Sequence, residues 1–221
     1  MYSISTERFI FMDAVHLYHG SKSGLIGEIK PVSREYCDFG KGFYMGTEKE
    51  QALTLICSFP EARLYTVSVD LLGLQTLTLD ADIDWALLIA YHRRKMEQVK
   101  GSTIYKKYSM MLNNYDIIIG YIANDRMFTV LDRFFAGEIT DVALINSLAA
   151  LKLGKQYVAL TDTACNKISI LDERKLTENE RVILRDDSEI QRQTGIRLAD
   201  EICIKHRRDG LFFDEIISGG C

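Results

Sequence analysis

The sequence predicts an α+β domain, and three stretches predict it. Arg63-Leu-Tyr-Thr-Val-Ser-Val-Asp70 alternates apolar and polar residues as a half-buried strand does. Tyr115-Asp-Ile-Ile-Ile-Gly-Tyr-Ile-Ala-Asn-Asp125 has the continuous apolar run of a strand covered on both faces. Val142, Leu144, Ile145, Leu148 and Leu151 recur at helical spacing. Strand and helix patterns are interleaved along 221 residues, a length for one domain or one domain with an appendage, and a 47% hydrophobic content suffices for a sizeable core.

In chain order, residues 1–13 lead into a first strand or cover a sheet edge, and that strand, Ala14–His19, is rich in β-branched and aromatic residues and ended by Gly20-Ser21. A period of two places Val15, Leu17 and His19 on one face, and His16 and Tyr18 on the other. Residues 22–38 read as a loop with a turn at Lys30-Pro31, long enough for a binding loop. After Gly40-Lys41-Gly42, Phe43-Tyr44 begins a strand. Thr47, as N-cap with Glu50 at the third helical position, opens a helix carrying Gln51, Ala52, Leu55, Ile56 and Phe59 as far as Pro60.

Strands Arg63–Asp70 and Leu74–Leu79 follow, parted by a turn at Gly73. A helix from Asp82 or Asp84 to about Val99 carries Arg93, Arg94, Lys95 and Lys100 toward its C-terminal end, where cations suit the helix dipole. The basic cluster reads as a solvated face and His92 as structural. Gly120 marks a close backbone approach in the isoleucine strand. Asn124 and Asp125 end that strand and read from the residues as caps of a helix over 126–135. A helix over Thr140–Lys152 and strands Gln156–Thr161 and Lys167–Leu171 complete the expected sheet. Residues 172–221 are charge-dense and read as a helical appendage, with Ile196, Leu198, Ile202 and Ile204 at helical spacing.

Several function classes are disfavoured by composition. A formal charge of −4 and a pI near 5.6 argue against nucleic-acid binding driven by overall charge. The first residues lack a basic n-region, and no apolar run approaches the ~20 residues of a membrane span, so a cytoplasmic protein without membrane contact is expected. Five scattered cysteines without a C-x-x-C suit neither a disulfide framework nor a zinc site, and no metal is expected. Cys37 reads as a bystander thiol. Neither a P-loop nor a G-x-G-x-x-G occurs.

Chemistry concentrates in Leu17-Tyr-His-Gly-Ser21 and Asp38-Phe-Gly-Lys-Gly-Phe-Tyr44. Each alone reads as well as a strand-end histidine or core-filling aromatics. Together they offer a histidine, a glycine without Cβ, a hydroxyl and an aromatic ring to one small planar ligand, and a nicotinamide ribose uses all four.

These motifs, with the Gln-Ala that opens the next helix, resemble the donor site of the diphtheria-toxin and poly(ADP-ribose)-polymerase branch of ADP-ribosyltransferases. They resemble more closely a bacterial family of uncharacterised domains in that superfamily. The resemblance spans about residues 14–171 and is most specific in the first sixty. It implies two small packed antiparallel sheets with flanking helices, a catalytic unit over 1–171 and an appendage over 172–221. It also implies a His, Tyr, Glu signature, in which His19 is the first member and Tyr44 the second. The third position falls in Lys155-Gln156-Tyr157-Val158 and holds Gln156, a departure from the acidic pattern.

By the same resemblance, His19, Gly20, Ser21, Gly42, Phe43, Tyr44, Gln51, Asn124 and Asp125 bind NAD⁺, which is the substrate, and Gln156, His19 and Tyr44 are catalytic. The expected reaction is mono-ADP-ribosyl transfer to an unidentified acceptor, or NAD⁺ glycohydrolysis when water accepts. A bacterial intracellular toxin or effector checked by a small antitoxin-like protein is the implied setting. A catalytically silent NAD⁺ or ADP-ribose module is the alternative that Gln156 supports. A glutamate would hold the ribose 2′-OH with full charge as an oxocarbenium develops, and the glutamine forgoes on the order of 1–2 kcal/mol of that assistance. On this reading Gln156→Glu preserves or raises turnover.

Overall fold

The computed structural model describes residues 14–123, 128–150 and 154–218. Its strands are β1 (Ala14–Ser21), β2 (Phe43–Gly46), β3 (Arg63–Asp70), β4 (Thr76–Thr78), β5 (Ile117–Tyr121), β6 (Lys155–Ala159) and β7 (Ile168–Lys175). They form one sheet in the order β4-β5-β6-β2-β1-β3-β7, antiparallel except for the parallel β4–β5 pair. The fold is therefore α+β with flanking helices, but the described strands make one sheet where two were expected. The reason is a narrow junction: β1 pairs with β3 along its whole length, from Ala14↔Asp70 to Ser21↔Arg63, whereas β1 and β2 share the single register Tyr18↔Gly46. Two half-sheets meet at this seam and diverge beyond it.

Both faces of β5 are covered, as its isoleucine run requires. Ile118 packs with Trp85, Leu88, Phe134 and Leu144, while Ile117 and Ile119 face Leu17, Val67 and Ala159 on the other side. The first group draws on α2 (Ile83–His92), α4 (Phe128–Phe135) and α5 (Asp141–Leu148). A Cβ on Gly120 would stand 2.7 Å from the Phe39 ring, so this glycine does admit a close neighbour.

Helix boundaries depart from expectation for local reasons. Helix α1 (Lys49–Thr54) is short, its N-cap is Glu48, and Thr47 instead accepts the Lys155 N–H at 3.0 Å, which ties the end of β2 to β6. Helix α2 is capped by Asp82 and stops at His92, because Arg94 adopts a left-handed φ of 58°. A short 3₁₀ turn over Glu97–Val99 and α3 (Thr103–Met110), capped by Ser102, replace the expected continuation. The expected strand over 74–79 narrows to β4. The helix expected over 140–152 is described as α5, capped by Thr140, and residues 151–152 lie outside the described residues.

A short helix, α6 (Asp162–Cys165), joins β6 to β7. Strand β7 continues to Lys175, beyond the expected boundary at residue 171, because it follows β3 to Arg63↔Lys175. The remaining chain forms α7 (Glu178–Lys205) and α8 (Phe213–Ile217). Helix α7 has a full capping box at Thr177 and Glu180. It buries Ala199 and Cys203, leaves Leu198 and Ile202 of the expected set half-buried, and leaves Ile196 and Ile204 exposed. Small residues permit close approach to α5, where Cys203 Sγ lies 3.6 Å from Ser147 Oγ. Among the described residues no helix is long and apolar enough to cross a membrane.

Candidate functional site

Beyond Tyr18↔Gly46 the two strands separate, and His19 fills the gap. A carbonyl can only accept, so the 2.7 Å contact between His19 Nδ1 and the Tyr44 carbonyl puts the proton on Nδ1 and leaves the Nε2 lone pair as an acceptor. Burial holds the imidazole pKa below its ordinary value, the Tyr44 bond opposing it only in part, so the neutral ring is favoured. Phe43 stacks on this ring with centroids 4.2 Å apart and planes 23° from parallel. Leu17, on the same face of β1, is fully buried below it.

A cleft of about 1000 Å³ opens at this divergence. The end of β1, the loop that follows it, β2, α1, Arg93 and the stretch after β5 line it, and Arg185, Ser188, Glu189 and Gln191 of α7 complete the wall. Of the residues expected at the donor site, His19, Gly20, Ser21, Gly42, Phe43, Tyr44, Gln51 and Gln156 all line this cleft. Asn124 and Asp125 lie outside the described residues.

Tyr44 is braced by the preceding loop. Its hydroxyl donates to the Gly40 carbonyl at 2.8 Å and accepts the Phe39 N–H at 3.0 Å. Burial first, and then the nearby Asp38 carboxylate, push its phenol well above the usual range, so the ring stays protonated. Ser33 reinforces the loop by accepting the Gly42 N–H at 3.1 Å.

Gln156, paired with Gly46 across β2 and β6, is buried, and its amide is oriented by its neighbours. Nε2 donates to Asp38 Oδ2 at 2.9 Å and to the Tyr121 carbonyl at 3.3 Å. Both partners are acceptors, so the NH₂ must face them, and Oε1 has no hydrogen-bond partner among the described residues. Arg93 closes the network from the end of α2, its Nε donating to Asp38 Oδ1 at 2.8 Å and its guanidinium forming an ion pair with the same oxygen. Arg93 is thus a largely enclosed partner of the cleft and does not belong to a solvated basic face. His92, beside it, borders a smaller hollow of about 590 Å³ shared with Tyr36 and Tyr91. Burial pushes its pKa down to about 4, and its buried Nε2 has no partner among the described residues.

Two of the site glycines have a packing cause. A Cβ on Gly20 would stand 2.6 Å from the Ala52 carbonyl oxygen on α1, and one on Gly42 would stand 2.4 Å from Val158 Cγ1 on β6. Close packing therefore accounts for both glycines without any ligand.

The cleft also holds residues outside the expected site: Asp38 and Arg93, and Lys22, Lys30, Arg34 and Arg185, cations that line it in a chain of net charge −4. Asp38 opens the second motif, and its acid beside an apolar Phe39 was the available signal. No local pattern announces Arg93, whose partner lies 55 positions away. Among the described residues no group of three or more His, Cys, Asp or Glu could hold a metal ion.

Fold and site together define an α+β protein with a polar-floored cleft at a strand seam. The chain belongs to the family described as Protein of unknown function (DUF3990), which matches residues 15–170 and so takes in every wall of the cleft except α7. No curated protein and no solved structure matches the chain.

Proposed function

We propose that the cleft binds NAD⁺ and transfers its ADP-ribose to an acceptor, with hydrolysis when water takes that place, in an ADP-ribosyltransferase-like domain whose two sheets correspond to the two halves parted at the seam. The observation that carries this reading is the amide of Gln156. Two acceptors hold its NH₂, and its unpartnered carbonyl oxygen belongs to the same cleft as His19 and Tyr44. Such an oxygen can accept from a ribose 2′-OH, a contact that strengthens as positive charge develops at C1′.

The remaining groups suit the rest of the dinucleotide. His19 Nε2 accepts from a ribose hydroxyl, the aromatic rings of Phe43 and Tyr44 offer surface to a pyridinium, and the cations at the cleft meet the pyrophosphate. In the reaction the bond from C1′ to the nicotinamide nitrogen breaks, and both electrons go to that nitrogen, discharging the pyridinium. The acceptor's lone pair forms the new bond to C1′, and its proton passes to solvent. The setting that accompanies this reading is a bacterial cytoplasmic toxin or effector with a small inhibitory partner.

Nicotinamide release from NAD⁺ by the wild type, beside His19→Ala and Gln156→Ala, is the test. Release by the wild type, absence of binding in His19→Ala, and a Gln156→Ala variant that loses turnover far more than affinity support transfer chemistry. A second reading, a silent NAD⁺ or ADP-ribose module, draws on the neutral amide at position 156. Binding by calorimetry without released nicotinamide selects it. A wild type that neither binds nor cleaves NAD⁺ overturns both.

A further inference from the structure

Among the described residues Asp38 is the only buried acid, and its two oxygens have separate tasks. Oδ1 takes the Arg93 guanidinium, and Oδ2 takes the Gln156 amide at 2.9 Å. Resting on the NAD⁺ reading, we propose that Asp38 is a positioning residue that delivers negative charge to the reacting ribose through Gln156. The pair thereby does what a single glutamate would do.

The chemistry is that of a polarised amide. A carboxylate accepting from the NH₂ stabilises the resonance form with negative charge on the carbonyl oxygen, and hydrogen bonds in such a chain strengthen one another. Oε1, the atom left without a partner, is the one that gains acceptor strength. Arg93 fixes the orientation of the carboxylate from the opposite side. A buried carboxylate and guanidinium are a poor choice for stability alone, since an apolar replacement of similar volume often does as well. Their place beside a cleft-lining amide gives the network a use that core packing does not.

The same geometry reverses the expectation for Gln156→Glu. An oxygen in place of Nε2 would face Asp38 Oδ2 at 2.9 Å and the Tyr121 carbonyl at 3.3 Å, both acceptors. The new carboxyl and Asp38 must then share a proton, as paired carboxylates do. Glutamine is the residue these neighbours require. Asp38→Asn combined with Gln156→Glu restores the match at position 38, though not at the Tyr121 carbonyl: the asparagine oxygen still accepts from Arg93, its NH₂ donates to the new carboxylate, and total charge is unchanged.

The experiment measures kcat and KM for NAD⁺ hydrolysis, with water as acceptor, in wild type, Asp38→Asn, Gln156→Glu and the double variant, alongside their melting temperatures. Asp38→Asn is expected to lower kcat by roughly tenfold with KM changed less than about twofold. Gln156→Glu is expected to lose turnover as pH rises and the shared proton leaves. The double variant is expected to melt near wild type and to recover kcat to within about threefold of it, which makes it the informative protein should Asp38→Asn fold poorly. A well-folded double variant no faster than the slower single one, or a folded Asp38→Asn with wild-type kcat, overturns the relay and leaves the NAD⁺ reading standing. A wild type that releases no nicotinamide overturns that reading, and the relay with it.

Discussion

His19 Nδ1 bonds the carbonyl of Tyr44 at 2.7 Å, a side chain taking the position a longer β1–β2 ladder would have given to backbone. The bond joins the two half-sheets at the point where they part, and it sets which imidazole nitrogen is left for a ligand. Removing the ring does two things at once. His19→Ala is expected to strand the Tyr44 carbonyl and cost about 1–3 kcal/mol in denaturant unfolding, while abolishing NAD⁺ binding in calorimetry. Unchanged stability would show that water replaces the ring without loss; unchanged binding would remove His19 from the site.

Tyr44 has a structural duty that the sequence reading did not assign to it. Tyr44→Phe keeps the ring but removes the donor to Gly40 and the acceptor for the Phe39 N–H. A loss of about 1–2 kcal/mol and faster amide exchange at Phe39 are expected, with NAD⁺ binding weakened only through the loosened loop. Exchange at Phe39 identical to wild type would contradict the brace.

Acid should unfold the protein through His92. Its ordinary pKa of 6.5 falls to about 4 in the folded state, so the unfolded chain binds the proton more readily. The stabilisation is complete above about pH 6.5 and is lost as pH falls through about 4, a change on the order of 3 kcal/mol for the full shift. His19, lowered in the same direction, adds to the slope. Denaturant midpoints measured across this range should rise with pH, and His92→Leu should flatten the curve. An equal slope in that variant would place the titration elsewhere.

Gly20 and Gly46 make a matched pair of tests. A methyl group on Gly20 meets the backbone oxygen of Ala52 at 2.6 Å, whereas at Gly46 the nearest heavy atom is 3.8 Å away. Gly20→Ala is expected to cost about 1–3 kcal/mol by pushing α1 outward. Gly46→Ala should be neutral or stabilise by up to about 1 kcal/mol, by restricting the unfolded chain. Thermal melts of the two variants check the contrast, and equal melting temperatures would refute it.

Much of the architecture is legible in local pattern. The alternation of Arg63–Asp70 is the full extent of β3, and the isoleucines of β5 do face two different core groups. His19, Gly20, Ser21, Gly42, Phe43 and Tyr44 fall in two contiguous motifs and do line the cleft, whereas Gln51 and Gln156 were reached only through the resemblance. What local pattern could not supply was anything decided by distant partners. Thr47 looks like an N-cap until Lys155 takes its oxygen, and Arg93 looks solvated until Asp38 is brought to it. On α7 hydrophobicity alone favours Ile196 and Ile204 along with Leu198 and Ile202, whereas close approach to α5 buries Ala199 and Cys203 and turns the first two outward. Helix α3 has no long apolar repeat, and only Tyr108 within it is buried.

The seam between β1 and β2 also bears on the order in which the molecule assembles. Strands β5 and β6 can close a half-sheet with α4 and α5 between them, and β1 and β3 can zip together with the loop after β1, β2 and α1 between them. Seating β2 on β6 requires contacts such as Asp38 to Gln156, 118 positions apart, whose loop-closure entropy is met only once β5 and β6 have paired, and the seam closes after that through His19 and Tyr44. The cleft is then the last region to become ordered, and a ligand bridging it would act as a clasp on the finished fold. Pulsed hydrogen exchange during refolding should protect the amides of β3 and β5 before those of Phe39 and Gly42. Simultaneous protection would mean that the two halves form as a single unit.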